Sequence, residues 1–125
     1  MNKFFWILLF PINAMAFGEV ANPLPTTKML CVSGYTATVR PSVSYTNNLK
    51  LKLVTAGHST SEYELDHFIP LELGGNPKSL NNLWLQPWDD ARKKDKLENS
   101  LHKQMCLGLI SMNDAQSKIS TWKRN

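Results

Sequence analysis

The stretch YELDHFIPLELGGNPKSLNNLWLQPW, residues 63–88, decides how this chain is read. Residues 63–68 have the composition of a strand, and NLWLQ, residues 82–86, reads as a second short strand stopped by Pro87. Neighbours in a regular strand point to opposite faces. Asp66 and His67 can therefore serve one site only if the first strand ends or bends there. Pro70 removes a ladder donor and the Gly74-Gly75 pair admits positive φ, so the break falls where it is needed. Asn82, at the head of the second run, can hydrogen-bond backbone across the loop and hold the histidine's segment in place.

The clearest helix follows, beginning at Asp89 or Asp90, either of which can cap its first turn. Leu97, Leu101 and Met105 recur every fourth residue as its apolar stripe, and Gly108 suits its end. Ser111 with Asp114 resembles a capping box, after which Ala115, Ile119 and Trp122 form the buried face of a last helix. Upstream, residues 17–27 read as an extended lead-in carrying Pro23 and Pro25. CVSGYTATVRP, residues 31–41, alternates as one short strand or an extended segment would, and YTNNLKLKLVTAG, residues 45–57, predicts two to three helical turns ending near Gly57. Strand, loop, strand and helix over about 63–105 make a small α+β core with flanking helices.

The chain has 125 residues, enough for one domain. MNKFFWILLFPINAMA, residues 1–16, has the layout of a secretory signal peptide: Lys3, an apolar run too short to span a bilayer, and Ala14-Met15-Ala16 as a cleavage site. Residues 17–125 would then form a single exported domain, periplasmic or secreted, with no membrane attachment after cleavage. Removing Lys3 takes the 14 basic residues to 13 against 10 acidic ones, a mild excess that suits an anionic partner. There are two cysteines, Cys31 and Cys106, and neither sits in a C-x-x-C arrangement. An oxidising compartment predicts a Cys31–Cys106 disulfide.

An acid beside a histidine is commonly an exposed charge next to a satisfied imidazole. The surroundings here are more specific, because DHFIPLELGGNPKSLNNLW, residues 66–84, resembles the core of HNH endonucleases, the ββα-metal or His-Me finger nucleases. CVSGYTATVRP, ARKKDKLEN and the Met105-Cys106 pair are similar to the flanks of small exported bacterial proteins of that type. The resemblance implies a ββα-metal core and an endonuclease that hydrolyses phosphodiester bonds of DNA, or of RNA, with little sequence preference. It implies that His67 is the general base, that Asp66 binds a divalent cation, and that Asn82 orients the loop. The cation expected is Mg2+, with Mn2+ or Zn2+ as alternatives.

The pattern departs at one place. The family's third signature residue would fall at Ala91, which cannot bind metal. Asp90 is the nearest acid and the expected further ligand, with Asp95 as runner-up and a plain helix cap as the alternative role for Asp90. Arg92, Lys93, Lys94 and Lys96 form a run that is ordinarily a solvated helix face. Beside a metal site it becomes an expected phosphate-contacting surface on a nucleic acid, with a monomer as the acting unit. Trp84 and Trp88 are expected to pack rather than stack on bases, and His58 and His102 to be surface or structural. Two other functions fit the same residues: a non-catalytic nucleic-acid-binding envelope protein on this scaffold, and a nicking toxin.

Overall fold

A computed structural model describes residues 18–122, so the expected signal peptide over 1–16 lies outside the described residues. Strand β1 (Tyr63–His67) pairs antiparallel with β2 (Leu83–Pro87), from Tyr63 opposite Pro87 to His67 opposite Leu83. Pro87 ends the ladder, and helix α4 (Trp88–Cys106) starts on the next residue. The helix therefore begins without a side-chain cap, and Asp89 and Asp90 occupy its first turn instead of capping it. Their charges there oppose the positive end of the helix dipole.

Among the described residues, three short helices precede the sheet: α1 (Thr27–Leu30), α2 (Tyr35–Val39) and α3 (Val43–Leu53). The short strand or extended segment expected over residues 31–41 is thus not formed: the chain turns over 31–34 and is helical from Tyr35. Thr26 caps α1 by accepting from the Met29 amide at 3.2 Å, Gly34 turns the chain at φ 87°, and Tyr35 then packs on the core. β-branched residues favour a strand only where a partner strand and a half-buried face exist; this segment meets helices. The helix read over 45–57 is present as α3, capped by Ser42. After α4, helix α5 (Met112–Ser120) is capped by Ser111, which accepts from the Asp114 amide at 3.0 Å. Ala115 and Ile119 are buried, with Trp122 half-buried in the turn beyond.

The core lies between α4, α5 and the loop leaving β1: Leu30, Phe68, Ile69, Leu73, Leu101, Met105, Ala115 and Ile119. Trp84 packs edge-on against Phe68 with centroids 5.1 Å apart. The Cys31–Cys106 disulfide is present and ties the end of α1 to the last residue of α4. Closing a loop of 75 residues' separation contributes on the order of 4 kcal/mol in the chain-entropy account. No helix among the described residues is long and apolar enough to cross a membrane. The domain is a small α+β unit, a two-stranded antiparallel sheet with flanking helices.

Candidate active site

One side chain bonds the loop between the strands at three of its backbone groups. Asn82 is fully buried and uses its whole carboxamide on backbone. Its Oδ1 accepts from the amides of Ile69 at 2.9 Å and Glu19 at 3.2 Å, while Nδ2 donates to the carbonyls of Ile69 at 3.0 Å and Asn76 at 2.9 Å. The glycine pair has a steric cause. Gly74 has a φ of 87°, and a Cβ on Gly75 would stand 1.7 Å from the Ile69 carbonyl oxygen. Residues 18–21 lie along the outside of this loop, where Glu19 accepts from the side chains of Asn76 at 2.8 Å and Asn81 at 3.2 Å. Nothing in the sequence around Glu19 signalled that part.

The reward of this construction is the setting of His67. The residue is 8 % exposed, and its Nε2 lies 2.9 Å from the Pro77 carbonyl. A carbonyl only accepts, so Nε2 carries the hydrogen and the neutral ring presents Nδ1 as a lone pair. Nδ1 has no hydrogen-bond partner among the described residues. Burial pushes the His67 pKa below its ordinary value, with the Pro77 carbonyl and Asp66 only partly opposing it. At neutral pH the ring is therefore an unprotonated base.

Carboxylates gather beside it. Oxygens of Glu64, Asp66 and Asp95 lie within 4.8 Å of one another. Glu64 and Asp66 share a face of β1 by the two-residue strand period, and Asp95 reaches them from α4. The pKa of Glu64 is raised, first by burial and then by Asp66, and that of Asp95 is raised by the same two causes. Glu64 Oε2 is buried with no hydrogen-bond partner among the described residues. Crowded oxygen donors, one of them buried and unpartnered, fit a hard divalent cation. The other close group, Cys31, His102 and Cys106, does not fit, because its two sulfurs form the disulfide.

Lys94 occupies a different position from the one expected of it. It is 1 % exposed and points inward. Its ammonium donates to Asp66 Oδ2 at 3.0 Å, to the His67 carbonyl at 2.9 Å and to Glu98 Oε2. A group buried to this degree cannot contact a phosphate from solvent, so Lys94 leaves the expected substrate surface. One cation cannot neutralise every acid around it. Glu98 is pushed up to about 8 by burial, with Asp66 adding to that rise and Lys94 opposing it.

The remaining expected residues divide. Asp90, expected as the further ligand, lies earlier on α4 and outside the Glu64, Asp66 and Asp95 group. The carboxylate that α4 brings to Asp66 is Asp95. Glu64, missed in the sequence, was legible through its two-residue spacing from Asp66. Arg92 is exposed and paired with Asp89 at 2.9 Å, and Lys93 is exposed. Trp88 is 39 % exposed, its Nε1 donating to the Ser61 carbonyl at 2.8 Å. His58 pairs with Glu62 at the surface, and His102 bonds the Leu30 carbonyl at 2.9 Å.

His67 and the carboxylates open on one cleft of about 550 Å³. Glu64, Asp66, Glu72, Asp95 and Glu98 line it from β1, the loop and α4, while Arg40, Asn47 and Lys50 line it from the α2–α3 segment. No protein-family model, curated protein or solved structure matches the chain.

Proposed function

We propose that this protein is an exported, metal-dependent endonuclease of the HNH type, cutting phosphodiester bonds of DNA, and of RNA where it fits, with little sequence preference. The observation that carries it is His67: a buried, neutral imidazole whose Nε2–H is committed to the Pro77 carbonyl, opening on the same cleft as three converging carboxylates. An unprotonated ring nitrogen beside a site of oxygen donors suits the activation of water next to a bound cation.

Glu64, Asp66 through Oδ1, and Asp95 would hold the cation, Mg2+ in the first instance. A divalent ion there supplies Lewis-acid stabilisation of the charge that develops on the phosphate and the leaving 3′-oxygen. His67 Nδ1 takes a proton from the attacking water. The Pro77 carbonyl keeps the ring in the tautomer that can do so, and Asn82 keeps the loop bearing Pro77 against the end of β1. Lys94 donates to Asp66 Oδ2 and to the His67 carbonyl, so Oδ1 is the Asp66 oxygen that would be available to a cation.

A non-catalytic nucleic-acid-binding role is the second reading, and one observation favours it: Lys94 already holds an oxygen of Asp66. Plasmid cleavage separates the two. Parental protein should convert supercoiled DNA in Mg2+ and stop with chelator. His67→Ala should cut 10²- to 10⁴-fold more slowly, roughly the worth of a general base, while still unfolding in one cooperative transition, at a somewhat lower temperature because a buried, hydrogen-bonded ring is lost. Gel retardation without cleavage supports the binding module, and a His67→Ala protein that cuts at the parental rate overturns the mechanism.

A further inference from the structure

The exposed basic face of α4 is not where the cleft opens; Arg92 and Lys93 do not line it. Two other cations do, and both come from the segment before the sheet. Arg40 follows α2 in extended backbone, next to the buried Pro41. Its guanidinium makes no hydrogen bond or salt bridge among the described residues, although its charge is felt by His67 and Glu72. Lys50 lies on α3 with its ammonium 5.7 Å from the Trp88 ring centroid, and its charge is felt by Glu64. Helix α3 is itself tied to the loop between the strands, because the Tyr45 hydroxyl donates to the Lys78 carbonyl at 2.9 Å.

We propose that Arg40 and Lys50 are the phosphate-binding residues of this cleft and hold the sugar-phosphate backbone of the substrate against His67 and the carboxylates. The inference rests on the nuclease reading and names how that site takes its substrate. A charge count shows why the cleft needs them. With Glu98 holding its proton, Glu64, Asp66, Glu72 and Asp95 against Lys94 leave the acidic side three charges negative. A divalent cation leaves it one negative, which still repels a polyanion. Either Arg40 or Lys50 brings it to neutrality; both together make it attractive. Arginine adds a planar fork that matches two phosphate oxygens, and lysine adds a compact charge for a neighbouring phosphate. Contacts of this kind give register and affinity without reading bases.

The test measures binding of a labelled DNA duplex against salt concentration, in Mg2+ and in a His67→Ala background that leaves the strand intact. Arg40→Gln and Lys50→Gln should each weaken binding several-fold and each lower the log–log salt slope by about 0.9, the value for one lost phosphate contact. Arg40→Lys should keep the slope while losing part of the affinity. Arg92→Gln with Lys93→Gln should leave both unchanged. The proposal is overturned if the α4 pair carries the slope, if the cleft variants keep the parental slope, or if the background protein does not bind. Divalent-cation affinity, followed separately by calorimetry, should be retained or rise in the two cleft Gln variants, because each removes a positive charge felt by the carboxylates, so weaker DNA binding there cannot be put down to a lost cation. A parental protein that binds through Arg40 and Lys50 yet never cuts plasmid would sink the nuclease reading and leave this one standing.

Discussion

The two ends of helix α4 bury their inward faces equally and with opposite chemistry. Toward Cys106 the buried residues are Leu101 and Met105, each 2 % exposed, packed on α5 and closed by the disulfide. Toward Trp88 they are Ala91, Lys94 and Glu98, at 1 %, 1 % and 6 %. Burial of the apolar end stabilises by roughly 1.5–3 kcal/mol for each large side chain. Burial of the ionic end does not follow that rule, because desolvating a charge pair costs about what the pair regains. Stability therefore accounts for Leu101 and Met105 and not for Lys94. What Lys94 does is hold Asp66 and the His67 carbonyl in one place.

The largest expected effect breaks that contrast directly. Lys94→Met should destabilise by about 3–5 kcal/mol, because Asp66 loses the charge that compensates it and Glu98 and the His67 carbonyl lose a buried hydrogen-bond donor. Lys94→Met combined with Glu98→Leu should regain most of that loss, since the ionic end then resembles the apolar one. Cleavage by the double variant should stay at least tenfold below parental even where it is fully folded. Leu101→Ala should cost a similar 2–5 kcal/mol through its cavity and leave cleavage per folded molecule unchanged. Denaturant unfolding beside single-turnover cleavage reads both ends. A double variant that is both stable and fully active would reduce Lys94 to packing.

The contrast also marks what could be read from the chain. The strands, the loop break, α4 and α5 were legible because period, proline, glycine and caps are local signals. Asn82 was legible because one carboxamide at the head of β2 can reach only the loop it closes. Lys94 was not. Its neighbours Arg92, Lys93 and Lys96 are exposed, and a lysine in such a run reads as solvated until the α4 packing angle is known. The same missing rotation hid that Asp95, and not Asp90, joins the Glu64 and Asp66 group. Residues 31–41 misled because β-branched side chains signal a strand only if another strand is there to pair. Arg40 and Lys50 were visible as cations but not as residues lining the cleft of His67, since that depends on where the α2–α3 segment lies in the fold.

A smaller effect sharpens the comparison through pH. The folded-state pKa of Glu98 lies above its ordinary value of 4.5, at about 8. The stability it contributes is complete below about 4.5 and is lost as pH rises through 8. Glu64, Glu72 and Asp95 are shifted in the same direction. His67 has the opposite sign: its lowered value stabilises above 6.5, and that contribution is lost only as pH falls through the lowered value. Between about pH 6.5 and 8.5 His67 no longer contributes a slope, and Glu98 does. With chelator present, stability should fall across this window by up to about 1.4 kcal/mol per pH unit. Glu98→Gln should flatten the fall, whereas Leu101→Ala should lower the whole curve without changing its shape. A flat parental curve would mean that Lys94 keeps Glu98 ionised throughout.

The smallest effect asks how far the ionic region extends across the sheet. Gln86 stands opposite Glu64 in the β1–β2 register, so the two side chains share a face. It is 1 % exposed, and neither its Nε2 nor its Oε1 has a hydrogen-bond partner among the described residues. A buried amide in that state costs about 1–3 kcal/mol, and an apolar residue of similar shape avoids the cost. Gln86→Met changes the volume little and should raise stability by about 1 kcal/mol. If Gln86 were packing alone, cation binding would be untouched by the change. Its place against Glu64, whose own Oε2 is buried and unpartnered, predicts instead that divalent-cation affinity falls a few-fold as the melting temperature rises. Opposite movement of the two readings assigns Gln86 to the chemical end of the domain. A higher melting temperature with unchanged cation affinity assigns it to the core with Leu101, and a variant destabilised by more than about 1 kcal/mol contradicts the premise that this amide is unsatisfied.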